Sequence, residues 1–127
     1  METTLQTNLL GAWRTVLAFL PLLRRSPHPR VVNVSSEGGS LAGMSGGTPA
    51  YSVSKAALNA MTRVLAAELR GERFLVNAVC PGWTATDMGE WEGRPVAEGA
   101  ASVVWAVTLT DDGPSGGFFR DGQPLPW

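Results

Sequence analysis

From Thr4 to Leu23 the apolar residues Leu5, Leu9, Ala12, Trp13, Val16, Leu20 and Leu23 recur at spacings of three and four, the periodicity of a helix with a broad apolar stripe. Arg24 and Arg25 suit the negative end of its dipole and place its end there. After the loop Ser26-Pro27-His28-Pro29 the pattern changes. Arg30-Val31-Val32-Asn33-Val34-Ser35-Ser36 is β-branched and mostly apolar, as a buried parallel strand requires. A Gly-, Ser- and Pro-rich loop follows from Glu37 to Pro49. Ala50 to Arg70 has no Gly or Pro inside it and sets Val53, Ala57, Leu58, Met61, Val64, Leu65 and Leu69 on one broad face, predicting a second helix with Gly71 as its C-cap. Phe74 to Cys80 predicts another buried strand, stopped by Pro81-Gly82, and Pro95 to Leu109 a third helix with proline near its start. A short tail strand around Gly117-Phe118-Phe119 precedes Asp121-Gly122. The order αβαβαβ, with helical connections long enough for parallel crossovers, predicts an α/β domain built on a parallel sheet.

Composition narrows the function classes. The 127 residues, 44% hydrophobic and 17% charged, suffice for one domain with a core. A formal net charge of -1 supplies no electrostatic drive toward nucleic acid or an anionic membrane. Leu9 to Leu23 is too short to span a bilayer and contains Arg14, so it reads as a buried helix. The single cysteine, Cys80, lies in an apolar run and excludes an intrachain disulfide, which fits a reducing, cytoplasmic setting. The single histidine, His28, sits between two prolines and makes no metal set with Cys80. Trp13, Phe19, Phe74 and Trp105 read as core, while Trp83 and Trp91 flank a loop.

The chain has one tyrosine and one lysine, four residues apart in Tyr51-Ser52-Val53-Ser54-Lys55 at the start of the second helix, hence on one face. Every other cationic side chain is arginine, so lysine is used only where a flexible ammonium lies beside a phenol. A neighbouring ammonium and a helix N-terminus both favour phenolate, which suits Tyr51 to proton transfer. The plain alternative is an aromatic at a helix start beside a surface lysine. Context weighs against it: one strand ends in Ser35-Ser36, the next in Pro81-Gly82, and in parallel sheets ligands bind beyond the carboxyl ends of strands.

Asn33-Val34-Ser35-Ser36-Glu37-Gly38-Gly39, Tyr51-Ser52-Val53-Ser54-Lys55-Ala56-Ala57 and Val76-Asn77-Ala78-Val79-Cys80-Pro81-Gly82-Trp83 with Thr86-Asp87-Met88 resemble, in order, successive motifs of the short-chain dehydrogenase/reductase family. The closing Asp111 to Arg120 and Pro124-Leu125-Pro126-Trp127 resemble its carbonyl-reductase-like members. The resemblance implies a partial Rossmann-like doubly wound sheet and an NAD(P)(H)-dependent interconversion of a carbonyl and an alcohol, with NADP(H) slightly preferred over NAD(H). It makes Tyr51 the proton donor to the carbonyl oxygen and Ser36 the hydroxyl that positions that oxygen. Ser36 is preferred to Ser35 because the family's serine lies three residues before a loop glycine, here Gly39. Lys55 would lower the Tyr51 pKa and bind the nicotinamide ribose. Asn8, in Thr7-Asn8-Leu9, would help hold a water in the proton relay, and Pro81, Gly82, Thr84 and Thr86 would line the nicotinamide end of the cofactor. The substrate would be a small-molecule carbonyl or alcohol, and the helices 4–23 and 51–70 would form a homodimer interface.

The family's opening strand, its Gly-x-x-x-Gly-x-Gly turn and its Asn-Asn-Ala-Gly segment have no counterpart in the sequence. Residues 1–127 are therefore expected to form a single truncated domain, with strand Arg30 to Ser36 lacking its usual neighbour and with weak cofactor affinity. Two alternatives stand beside the enzyme: a non-catalytic remnant acting through protein–protein contacts, and a small nucleotide-binding module without redox chemistry. The second needs a phosphate loop, and the glycines between Gly38 and Gly47 sit in the wrong place for one.

Overall fold

The five residues Leu75–Val79 are all buried and form the strand from which the sheet is built. The structure, a computed structural model, describes residues 1–83 and 92–127. The strand β1 spans Arg30–Val34, β2 Leu75–Val79, β3 Phe118–Arg120 and β4 Gln123–Pro124. β1 runs parallel to β2, with Arg30 opposite Leu75 and Val34 opposite Val79, and β3 runs parallel to β2 on its other side, with Ala78 opposite Phe118. The order is β1-β2-β3-β4. β4, unforeseen in the hydropathy pattern, pairs antiparallel with β3. Asp121 and Gly122 join the two at φ 51 and 74, the pair of positive angles that matches strand twist in a two-residue hairpin.

The first helical rod has three parts: α1 (Glu2–Leu5), a π-helical turn (Gln6–Gly11) and α2 (Ala12–Leu23). A Cβ on Gly11 would sit 3.1 Å from the Gln6 carbonyl oxygen, so glycine eases the wide turn that the expected uniform helix lacked. The later helices are α3 (Pro49–Glu68) and α4 (Val96–Val107). Val16 of α2, Leu58, Met61 and Leu65 of α3, and the register pair Val31 and Val76 share one cluster, with Leu9, Ala12, Leu20 and Leu23 packed against it. Each fully buried aliphatic side chain there contributes roughly 1.5–3 kcal/mol. α2 and α3 therefore cover one face of the sheet. On the other face Trp105 of α4 lies 5.0 Å from Phe119, ring centre to ring centre.

Several expectations change. Trp13 and Phe19 are not core; they are 39% and 54% exposed. Among the described residues β1 is paired only with β2, so no strand lies under the outer half of α2. A groove of about 430 Å³ runs there instead, lined by Asn8, Val16, Phe19, Val32, Val34 and Lys55 among others. Val53 and Val64 are also exposed, because the buried stripe of α3 passes through Ser54, Leu58, Met61 and Leu65. β1 stops at Val34, leaving Ser35 and Ser36 beyond the strand. Gly71 does not cap α3: a single 3-10 turn, Arg70–Glu72, follows, and the left-handed position is taken by Arg73 at φ 65.

A side chain at a left-handed position is strained and glycine is not. Arg73→Gly should raise unfolding free energy by up to about 1 kcal/mol in a denaturant melt. An unchanged or lowered midpoint would show that the Arg73 side chain contributes more than its backbone costs.

Candidate active site

Proline at the first turn of α3 has no N–H to satisfy there and a fixed φ suited to a helix start. This start carries Tyr51, and Lys55 follows one turn later. The Lys55 Nζ donates to the Val34 carbonyl at 2.9 Å and lies 5.7 Å from the centre of the Tyr51 ring. Burial pushes the Lys55 pKa below the ordinary lysine value, and the nearby Cys80 pulls the other way. One of the three ammonium N–H groups is engaged by Val34, leaving two as donors.

Ser36 is extended and caps a 3-10 turn over Glu37–Gly39. Its Oγ accepts from the Gly38 N–H at 3.1 Å, so its own proton remains available. A methyl group on Gly38 would lie 3.4 Å from Ser36 Oγ and 3.7 Å from Cε1 of Tyr51; hydroxyl and phenol ring both lie beside that glycine. Gly39 is closer still to α3. A Cβ there would come within 2.7 Å of the Lys55 carbonyl carbon and 2.9 Å of the Ala56 nitrogen.

Ser35 points elsewhere. Its hydroxyl donates to Oδ1 of Asn59 at 2.6 Å, and Nδ2 of Asn59 reaches the Gly39 carbonyl at 3.4 Å. One turn further along, Nδ2 of Asn33 donates to Thr62 Oγ1 at 3.0 Å. Asn8, in the π-helical turn, donates through Nδ2 to Ser54 Oγ at 3.0 Å, and Ser54 donates to the Tyr51 carbonyl at 2.7 Å. Asn8 is thereby tied to the helix turn that carries Tyr51, and it shares the groove along β1 with Lys55.

Pro81 and Gly82 follow β2, with Gly82 at φ 81. The Arg94 guanidinium donates to the Pro81 carbonyl at 3.1 Å and pairs with Asp121, also at 3.1 Å. The Arg94 N–H donates to the Trp83 carbonyl at 2.8 Å, so one residue holds the strand end at two points. Thr84, Thr86 and Trp91 lie outside the described residues. The structure thus brings Ser36, Tyr51, Lys55 and Asn8 around one end of α3, with Pro81 and Gly82 at the neighbouring strand end. Ser54, Asn59 and Arg94 escaped the reading of the sequence. The signal for the first two was a polar residue on an otherwise apolar helix stripe; Arg94 left none.

Residues 1–95 match the family model described as short chain dehydrogenase. The chain belongs to the short-chain dehydrogenase family. It is 38% identical to the C-signal of Myxococcus xanthus across all of this chain and 78% of that protein. The carbonyl reductase Sniffer of D. melanogaster superposes with a TM-score of 0.86 at 34% identity, covering 97% of this chain and 55% of that one. The NADPH-bound carbonyl reductase from chicken fatty liver superposes at 0.85 and 28% identity, again over 97% and 55%. The chain spans about half the length of several relatives it matches. Its sheet, mostly parallel with helices on both faces, is the corresponding part of the family's Rossmann-like fold, and NADP(H) is a cofactor used in the family.

The Gly39 contact leaves no room for a side chain. Gly39→Ala should cost about 1–3 kcal/mol, measured by thermal unfolding; a neutral substitution would mean the turn is not seated on α3. Lys55 gives a pH test. Its folded-state pKa lies below the ordinary 10.5, so between the two values the unfolded chain holds more protons, and stability gains from Lys55 as pH rises through that window. Below the window the full penalty of burying the ammonium is present. The stability of the parent relative to Lys55→Met should therefore increase as pH is raised toward 10.5; a flat difference refutes the shift.

Proposed function

We propose that this chain carries the proton-delivering side of an NAD(P)(H)-dependent oxidoreductase that interconverts a small-molecule carbonyl and an alcohol. The observation that carries the reading is that the Ser36 hydroxyl and the Tyr51 ring converge beside Gly38, 3.4 and 3.7 Å from where a methyl group on it would stand, with the Lys55 ammonium 5.7 Å from the ring centre. In reduction, the Ser36 proton binds and orients the carbonyl oxygen while Gly38 holds the serine lone pair. The Tyr51 hydroxyl then gives its proton to that oxygen as negative charge develops on it. Lys55 supplies fixed positive charge beside the phenol. Asn8, through Ser54, holds the helix turn that carries Tyr51.

The donor set fits the nicotinamide end of a dinucleotide. The two Lys55 N–H groups left by Val34 can bind ribose hydroxyls, and Pro81 and Gly82 would border the ring. When bound, the nicotinamide supplies the hydride to the carbonyl carbon.

A second reading, in which the chain acts by contact with another protein and not by turnover, has its own support. The Myxococcus relative is named C-signal. Here Trp13, Leu17, Val53 and Val64 are exposed on the two helices that would form a homodimer interface.

The deciding experiment titrates NADPH and NADH against the chain by nucleotide fluorescence and assays a ketone panel with the parent and Tyr51→Phe. Removing a general acid should lower turnover at least about 100-fold with nucleotide affinity little changed. Equal turnover in the two proteins would sink the proposed mechanism. Binding and turnover both absent would move the chain to the contact reading, for which sedimentation must then show an oligomer.

A further inference from the structure

Three consecutive residues at the end of β1 are each held by α3: Asn33 by Thr62, the Val34 carbonyl by Lys55, and Ser35 by Asn59. The spacing on the helix is helical, since Tyr51, Lys55 and Asn59 lie at i, i+4 and i+8 and share one stripe. Asn59 differs from the other members because it has two holds. Its amide oxygen accepts from Ser35, the residue before Ser36, and its amide nitrogen donates to the carbonyl of Gly39, three residues after it. Asn59 is 3% exposed and Ser35 4%, so neither bond has water as a ready substitute.

We propose that Asn59 is a positioning residue that sets where the Ser36 hydroxyl stands relative to Tyr51, by clasping the chain on both sides of Ser36 and fixing it to the helix that carries Tyr51. The proposal rests on the oxidoreductase reading for its catalytic consequence, but not for its structural one. Among the described residues Ser36 itself has no hydrogen bond to α3. Its hydroxyl accepts from the Gly38 N–H and its carbonyl from the Gly39 N–H, both within its own turn, which shapes the turn without fixing it to the helix. The Gly39 contact blocks approach beyond a limit; the Asn59 bonds prevent retreat. Without them the turn can lift from α3, and the serine hydroxyl moves away from any oxygen that Tyr51 protonates. Misplacement of about 1 Å costs on the order of 100-fold in rate.

The test is a double-mutant comparison. Asn59→Leu, made in the parent and in Ser36→Ala, is assayed for carbonyl reduction with NADPH, for NADPH affinity and for hydrogen exchange at the amides of Gly39 and Ser40. In the parent, kcat should fall about 10- to 100-fold with NADPH affinity unchanged, and both amides should exchange faster. In Ser36→Ala the same substitution should change kcat by less than about 2-fold, because residues acting through one another are not additive. Equal losses in both backgrounds, or unchanged exchange, would overturn the assignment in favour of a general loosening of the core. Should Asn59→Leu not fold, Asn59→Thr keeps an acceptor near Ser35, is too short for Gly39, and carries the same comparison. If the parent has no turnover, the oxidoreductase reading fails by itself, and exchange alone decides whether Asn59 places the turn.

Discussion

The contact between the Ser36 turn and helix α3 is backbone against backbone, with glycine at the point of nearest approach. It governs the site because the groups proposed to cooperate come from different elements: Ser36 follows a strand, Tyr51 opens a helix, and about a dozen residues of loop separate them. Packing alone would permit small slides of a helix over a sheet. Here the seam between β1 and α3 carries the polar pairs Asn33–Thr62 and Ser35–Asn59 inside an otherwise apolar interface. Each bond adds only about 0.5–1.5 kcal/mol net, but leaving a buried partner unmade costs about 1–3 kcal/mol. A shift of α3 by one turn would orphan several of these groups at once. Among the described residues no buried side-chain nitrogen or oxygen lacks a partner, so the seam admits one register.

The other wall of the site is braced by the tail of the chain. Asn77, on the central strand, donates to the Pro114 carbonyl and accepts from the Gly117 N–H, fixing where the tail enters the sheet. The tail then turns through Asp121-Gly122 and returns to the loop after Ser36. Ser40 Oγ donates to the Pro126 carbonyl and the Ala42 N–H to the Trp127 carbonyl. The Trp127 ring stacks on Phe118 at 5.4 Å and sits beneath the Arg63 guanidinium. The Ser36 loop is thus held by α3 on one side and by the tail on the other.

The order of elements was legible because stretches of helical periodicity alternate with short, continuous apolar runs of strand length, of which Leu75–Val79 is buried throughout. The Tyr51/Lys55 pair was legible because each residue type occurs once. Burial was less so: Trp13, Phe19, Val53 and Val64 are as apolar as their buried neighbours, and the position of the sheet edge under α2 and the line of the buried stripe on α3 decide that they face outward. The π-helical turn around Asn8 has no periodic signature of its own. β4 is two residues long and contains a proline, too short for any pattern to register. Asn59 and Ser54 look like interruptions of an apolar stripe until the elements opposite them are known.

Lysine at position 55 illustrates how these constraints converge. It is the chain's only lysine, and its ammonium is bound to the carbonyl of Val34, the last residue of β1. A guanidinium is planar, forked and stays protonated, so it suits bidentate partners; a compact ammonium offers three donors that can rotate among single acceptors. Here one acceptor is the strand-end carbonyl and the space beside it borders the phenol ring. The carbonyl anchors the ammonium in a partly desolvated position, and the same burial that lowers its pKa strengthens its field at short range, because less water lies between it and the ring. A fully exposed lysine would have an ordinary pKa, whereas a fully buried one would tend to lose its proton. Partial burial against a backbone oxygen keeps the charge and holds it 5.7 Å from the centre of the Tyr51 ring.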